Sequence, residues 1–146
     1  ARHIQAAGAD AIWVSNHGGR QMDSAPSSVT LLSPIRAAVG PNYPVIFDSG
    51  VRHGEDVIKA LALGADFVML GRPVMFALGA AGGQGLRAYL DEVTLEISTA
   101  MAQIGTCSVP DITPQCLYGD TQISPALTTE NIALIPTEHH KTGGHR

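Results

Sequence analysis

The sequence predicts an α/β fold built on a parallel sheet. Three observations point there. Residues 4–14 read IQAAGADAIWV and residues 58–70 read IKALALGADFVML, so one unit recurs: a helix end, Gly-Ala-Asp, then an apolar run. The apolar runs are short and do not alternate with polar residues, which is how strands buried on both faces of a parallel sheet read. The segments between them carry helical spacing, and the resulting order is helix, strand, helix, strand, helix, strand.

Along the chain, the first residues form the end of a helix that stops at Gly8, where glycine accepts a left-handed cap. Ala11, Ile12, Trp13 and Val14 make the first strand. Residues 28–39 suit one short helix, with Pro34 as an irregularity. Pro44, Val45, Ile46 and Phe47 make the second strand. Residues 53–63 form the next helix, with Val57, Ile58, Leu61 and Ala62 on one face, and Gly64 ends it as Gly8 ends the first. The third strand follows in residues 67–70. In residues 85–104, Leu86, Leu90, Val93, Ile97 and Ile104 share a helix face and read as core packing. Residues 106–118 contain Pro110 and Pro114 and read as a loop. Residues 119–146, rich in Thr, Pro, Gly and His, read as a mobile tail. The expected organisation is one unit over 1–118 and a tail over 119–146.

A chain of 146 residues with 45% hydrophobic content has enough apolar material for one core. Nine basic against thirteen acidic side chains give a net charge of −4. With no basic cluster, a nucleic-acid partner is not expected. No apolar run has the length of a membrane span, and no signal peptide is visible. The chain opens Ala-Arg-His without a methionine, so it is expected to begin inside a longer protein. Cys107 and Cys116 are expected to be reduced bystanders. His139, His140 and His145 lie in the tail and are read as incidental, with no metal site.

In parallel α/β proteins, functional residues gather past the carboxyl ends of the strands. Each strand here ends in an unusual cluster: SNHGGRQ at 15–21, DSGVR at 48–52 and GRP at 71–73. Gly50 and Gly71 allow backbone N–H groups to approach a ligand closely, and Arg52 and Arg72 add fixed charge. A helix start follows each, so a phosphate monoester such as the tail of flavin mononucleotide fits. The competing reading makes the arginines surface ion-pair partners and the glycines turn residues. In the first cluster, His17 can accept a proton and Arg20 can hold a carboxylate through two parallel hydrogen bonds. A base beside a carboxylate clamp suits oxidation of a 2-hydroxy acid with an adjacent flavin. His17 can equally be a structural hydrogen-bonding residue, and Asp23 a cap or turn residue.

SNHGGRQ, followed by DSGVR and then GRP, resembles the FMN-dependent 2-hydroxy-acid dehydrogenase and oxidase family, whose members act on lactate, glycolate and mandelate. The resemblance covers roughly residues 1–118. The DSGVR and GRP segments are shared with other phosphate-binding barrels, and SNHGGRQ is the discriminating motif. The resemblance implies a TIM (β/α)₈ barrel carrying FMN at its carboxyl end. This chain would then be its C-terminal portion, about three βα units, with strands matching the sixth to eighth. It implies that His17 is the active-site base and Arg20 binds the substrate carboxylate. It further implies that Asp48, Ser49, Gly50, Arg52, Gly71 and Arg72 contact the ribityl phosphate of FMN.

A whole barrel takes about 250 residues. The family's flavin-facing lysine, its active-site tyrosines and the aspartate that orients the histidine would all precede Ala1. The segment past Ile112 differs from the family's usual ending. The expected function is FMN-dependent oxidation of an L-2-hydroxy acid to the 2-oxo acid as part of a longer enzyme, the chain alone being inactive. Two alternatives stand: a truncated non-catalytic remnant that at most binds phosphate or a partner chain, and another phosphate-binding barrel enzyme. The full-length protein is expected to be a cytoplasmic homo-oligomer. Its membrane association and its electron acceptor are left open.

Overall fold

The computed structural model describes residues 1–118. Helix α1 (Arg2–Ala6) leads to strand β1 (Ile12–Val14), and α2 (Leu32–Val39) leads to β2 (Val45–Phe47). Helix α3 (Gly54–Ala62) leads to β3 (Phe67–Val68), and α4 (Arg72–Ile104) follows. The three strands form one parallel sheet in the order β1-β2-β3, with Trp13 opposite Ile46 and Ile46 opposite Phe67.

The repeated Gly-Ala-Asp is a helix stop. Gly8 and Gly64 have φ of +86° and +107°, as expected for left-handed caps. The N–H of the following alanine bonds back to the carbonyl five residues earlier in each case, Ala9 to Ile4 at 3.4 Å and Ala65 to Ala60 at 3.0 Å. This is the Schellman arrangement, which satisfies the last helix carbonyls and turns the chain into the strand. Asp66 then accepts a hydrogen bond from the Val45 N–H at 2.7 Å and pairs with Arg36. Arg36 also donates to the carbonyls of Gly64, Gly40 and Tyr43, at 2.9, 2.8 and 2.7 Å. One guanidinium therefore ties together the amino ends of β2 and β3.

The expected single helix over 28–39 is a short 3-10 turn, Ser28–Leu31, followed by α2. Pro34 falls in the first turn of α2, where its missing N–H costs nothing. The main core lies between the sheet and the helices, with Ile12, Val14, Leu32, Val45 and Phe47 buried. The strands are not buried on both faces. Trp13 and Phe67 are 55% and 62% exposed, and with half-buried Ile46 they form a row on the opposite face. No described element covers that row, and this corrects the sequence expectation.

Helix α4 is interrupted at Ala81 and Gly82, so the expected helix over 85–104 is its second half. Gly85 is needed there for closeness: a Cβ would come within 2.2 Å of the Ala77 carbonyl oxygen. Of the expected apolar stripe, Val93 is buried and Ile97 is half-buried against a second core of Ile58, Ala62 and Ile112. Leu90 and Ile104 are exposed. The segment read as a loop is built from two 3-10 turns, Val109–Asp111 and Pro114–Cys116, and Ile112 and Leu117 pack onto α3 through it. The expected tail over 119–146, with His139, His140 and His145, lies outside the described residues. Among the described residues, no helix is long and apolar enough to cross a membrane.

Candidate active site

The strands stop at the same end of the sheet, and backbone bonds continue past them. Asp48 N–H bonds to the Val14 carbonyl at 3.1 Å, and Met69 N–H to the Phe47 carbonyl at 2.8 Å. The three polar clusters are therefore held side by side. All eight residues singled out from the sequence line one open cavity of about 690 Å³: His17, Arg20, Asp48, Ser49, Gly50, Arg52, Gly71 and Arg72. That size lies within the range of small-molecule and cofactor sites.

The first cluster is a tight turn. His17 begins a 3-10 turn, His17–Gly19, with a positive φ of 55°, a conformation uncommon outside glycine. Its N–H donates to Ser15 Oγ at 3.0 Å, and Arg20 N–H donates to the His17 carbonyl at 3.3 Å. The strained backbone carries both side chains to the exposed cavity wall. Gly18 also has a positive φ of +66°, and a Cβ on it would sit 3.1 Å from Arg72 Nη2. The Arg72 guanidinium thus lies over the turn that bears His17.

Ser49 joins the first cluster to the second. Its Oγ donates to Asp48 Oδ1 at 2.6 Å and accepts from the N–H groups of Asn16 and Gly18 at 3.3 and 3.2 Å. The hydroxyl is committed within the chain. The buried hydroxyl of Ser28 donates to the Asp48 carbonyl at 2.9 Å and steadies the same loop.

The electrostatics favour an anion. Three arginines line the cavity and Asp48 is the one carboxylate among its lining residues. Among the described residues, Arg20, Arg52 and Arg72 make no salt bridge; the pairs formed are Arg36–Asp66, His53–Glu96 and Lys59–Glu55. The surface ion-pair reading of Arg52 and Arg72 therefore fails among these residues. At Gly50 and Gly71 a Cβ would meet nothing within 4 Å, so both face open space. Their N–H groups have no backbone acceptor among the described residues. The two helix starts differ, however. The α3 start is already supplied with carboxylates: Asp56 accepts from Arg52 N–H at 3.0 Å and His53 N–H at 3.2 Å, and Glu96 accepts from Gly54 N–H at 2.5 Å. The α4 start at Gly71 and Arg72 has no such cap.

The structure adds lining residues that the sequence did not single out: Met69, Met75, Phe76 and Tyr89. Tyr89 sits beside the stripe noticed in α4, but its tertiary partner is 37 residues away, beyond any local signal.

The profile of the family described as FMN-dependent dehydrogenase matches residues 1–119. The chain belongs to this family. The match ends at residue 119, so of the ending past Ile112 read as atypical only residues 113–119 fall within it. The chain is 49% identical over 117 residues to an L-lactate oxidase of Alicycliphilus denitrificans, covering 80% of this chain and 32% of that protein. It is 50% identical over 110 residues to an L-lactate dehydrogenase of Acinetobacter baumannii, covering 75% of this chain and 29% of that one. A solved structure of mandelate oxidase with benzoyl-formic acid superposes with a TM-score of 0.73 at 48% identity, over 76% of this chain and 33% of that chain. The chain of this FMN-dependent dehydrogenase family member thus spans about a third of the length of its relatives.

Proposed function

We propose that this chain supplies the last three βα units of a TIM barrel that binds FMN and oxidises an L-2-hydroxy acid of the lactate or mandelate type to the 2-oxo acid. The observation that carries the reading is the gathering of His17, Arg20, Arg52 and Arg72 on one cavity, with no carboxylate pairing the arginines among the described residues. The open space before Gly50 and Gly71 fits close approach of a phosphate. Gly50, Arg52, Gly71 and Arg72 would hold that phosphate by backbone N–H groups and charge-assisted hydrogen bonds. Asp48 and Ser49 would set the loop and border the ribityl chain. When bound, the flavin supplies the acceptor for the electrons that leave the substrate.

Arg20 would clamp the substrate carboxylate in its planar fork and so fix the hydroxyl-bearing carbon. An imidazole nitrogen of His17 would take the substrate proton. The turn that holds His17 is anchored at Ser15 and by Ser49, so the base is placed before substrate arrives.

Arg72→Ala tests the phosphate assignment. It removes a charge-assisted contact worth ~1.5–3 kcal/mol, roughly a ten- to hundredfold loss of affinity. The variant of the full-length protein should shed FMN on gel filtration. Retention as tight as in the unaltered protein would show that Arg72 does not hold the phosphate.

A further inference from the structure

We propose that Tyr89 and Glu96, on the second half of α4, are positioning residues that pre-set Arg52 for the flavin phosphate. The inference rests on the FMN reading above and deepens it. The two side chains stand two helical turns apart, on one face of the helix. Tyr89 Oη donates to the Arg52 carbonyl at 2.9 Å. Glu96 accepts the Gly54 N–H at 2.5 Å through one oxygen and meets His53 Nδ1 at 3.3 Å through the other. From below, Asp56 takes the N–H groups of Arg52 and His53.

The backbone of 52–54 is therefore held on both sides of the Arg52 Cα, while the Arg52 side chain has no hydrogen-bond or ion-pair partner among the described residues. A long side chain on a loose loop would lose more freedom on binding an anion. Pinning the backbone removes part of that cost, leaving only the side chain's own freedom to be lost when the guanidinium meets a phosphate. The junction is also tight, since a Cβ at Gly54 would lie 2.5 Å from Ile97 N. Burial and the carboxylates of Glu96 and Asp56 push the Tyr89 phenol above its ordinary value, in the sense that favours the protonated donor.

The test separates phosphate recognition from general folding. The full-length protein, stripped of flavin, is titrated with FMN and with riboflavin, which lacks the phosphate, by flavin fluorescence. Tyr89→Phe keeps the ring, and Glu96→Gln keeps the shape and an acceptor for Gly54, so both variants should fold. The unaltered protein should prefer FMN. Each variant should lose roughly two- to tenfold in FMN affinity, the worth of about one hydrogen bond, while riboflavin affinity stays unchanged. An FMN preference equal to that of the unaltered protein, or equal losses for both ligands, would overturn the positioning role and leave the phosphate site standing. Equal binding of FMN and riboflavin by the unaltered protein would overturn the phosphate site, and the positioning role with it.

Discussion

Ser49 shows how one side chain can organise a cavity wall through bonds within the chain. Its φ of 83° is unusual for a residue with a Cβ, and its hydroxyl serves one acceptor and two donors. Those donors belong to the turn that carries His17. Ser49→Ala keeps the backbone demand and leaves the N–H groups of Asn16 and Gly18 without that oxygen. Losing a part-buried acceptor costs about 1–3 kcal/mol. The variant of the full-length protein should therefore show a denaturation midpoint lowered accordingly; an unchanged midpoint would mean that the clasp contributes nothing. The sequence marked Ser49 for its place in DSGVR, but nothing local foretold a partner 31 residues away at Gly18. The eight residues that line the cavity were legible because they follow strands directly, and parallel strands bring their carboxyl ends together. Tyr89 and Glu96 were not, because their partners Arg52 and Gly54 lie across a helix–helix contact.

At the scale of elements, α3 and α4 meet at Gly54. A methyl group there would sit 2.5 Å from Ile97 N and 2.6 Å from Glu96 Cβ, and backbone on a long helix cannot yield easily. Gly54→Ala should destabilise by about 1–3 kcal/mol through overpacking. It should also weaken FMN binding, because the helices part beside Arg52. A melting temperature and a flavin content equal to those of the unaltered protein would contradict this. Helix stops were readable because the Schellman motif at Gly8 and Gly64 is closed within six residues. The apolar stripe of α4 was only half informative. Periodicity says that Leu86, Leu90, Val93, Ile97 and Ile104 share a face; it does not say that Val93 is buried and Ile97 packs on the Ile58, Ala62 and Ile112 core while Leu90 and Ile104 stay exposed.

For the whole molecule, the telling feature is the sheet face left uncovered by the described residues. Trp13, Ile46 and Phe67 line up across all three strands, and among the described residues no strand pairs with either edge of the sheet. Short non-alternating runs suggested strands covered on both sides, yet only one side finds its cover here. Open edges and an apolar face of this kind favour association. Residues 1–146 produced alone should bind a hydrophobic dye, aggregate and oxidise no hydroxy acid. A sharp cooperative melt of a monomer with stoichiometric flavin would contradict that expectation.

The central claim is that this rim oxidises a 2-hydroxy acid with His17 as the base. Anaerobic flavin reduction by L-lactate or L-mandelate, followed in a stopped-flow instrument, tests it most directly. His17→Gln in the full-length protein keeps size and some hydrogen bonding but gives up the base. A positioned base contributes ~10²–10⁴-fold to rate. The account predicts a fall of at least that range with FMN content unchanged. Reduction of the variant's flavin at nearly the unaltered rate would contradict it and make His17 a structural residue.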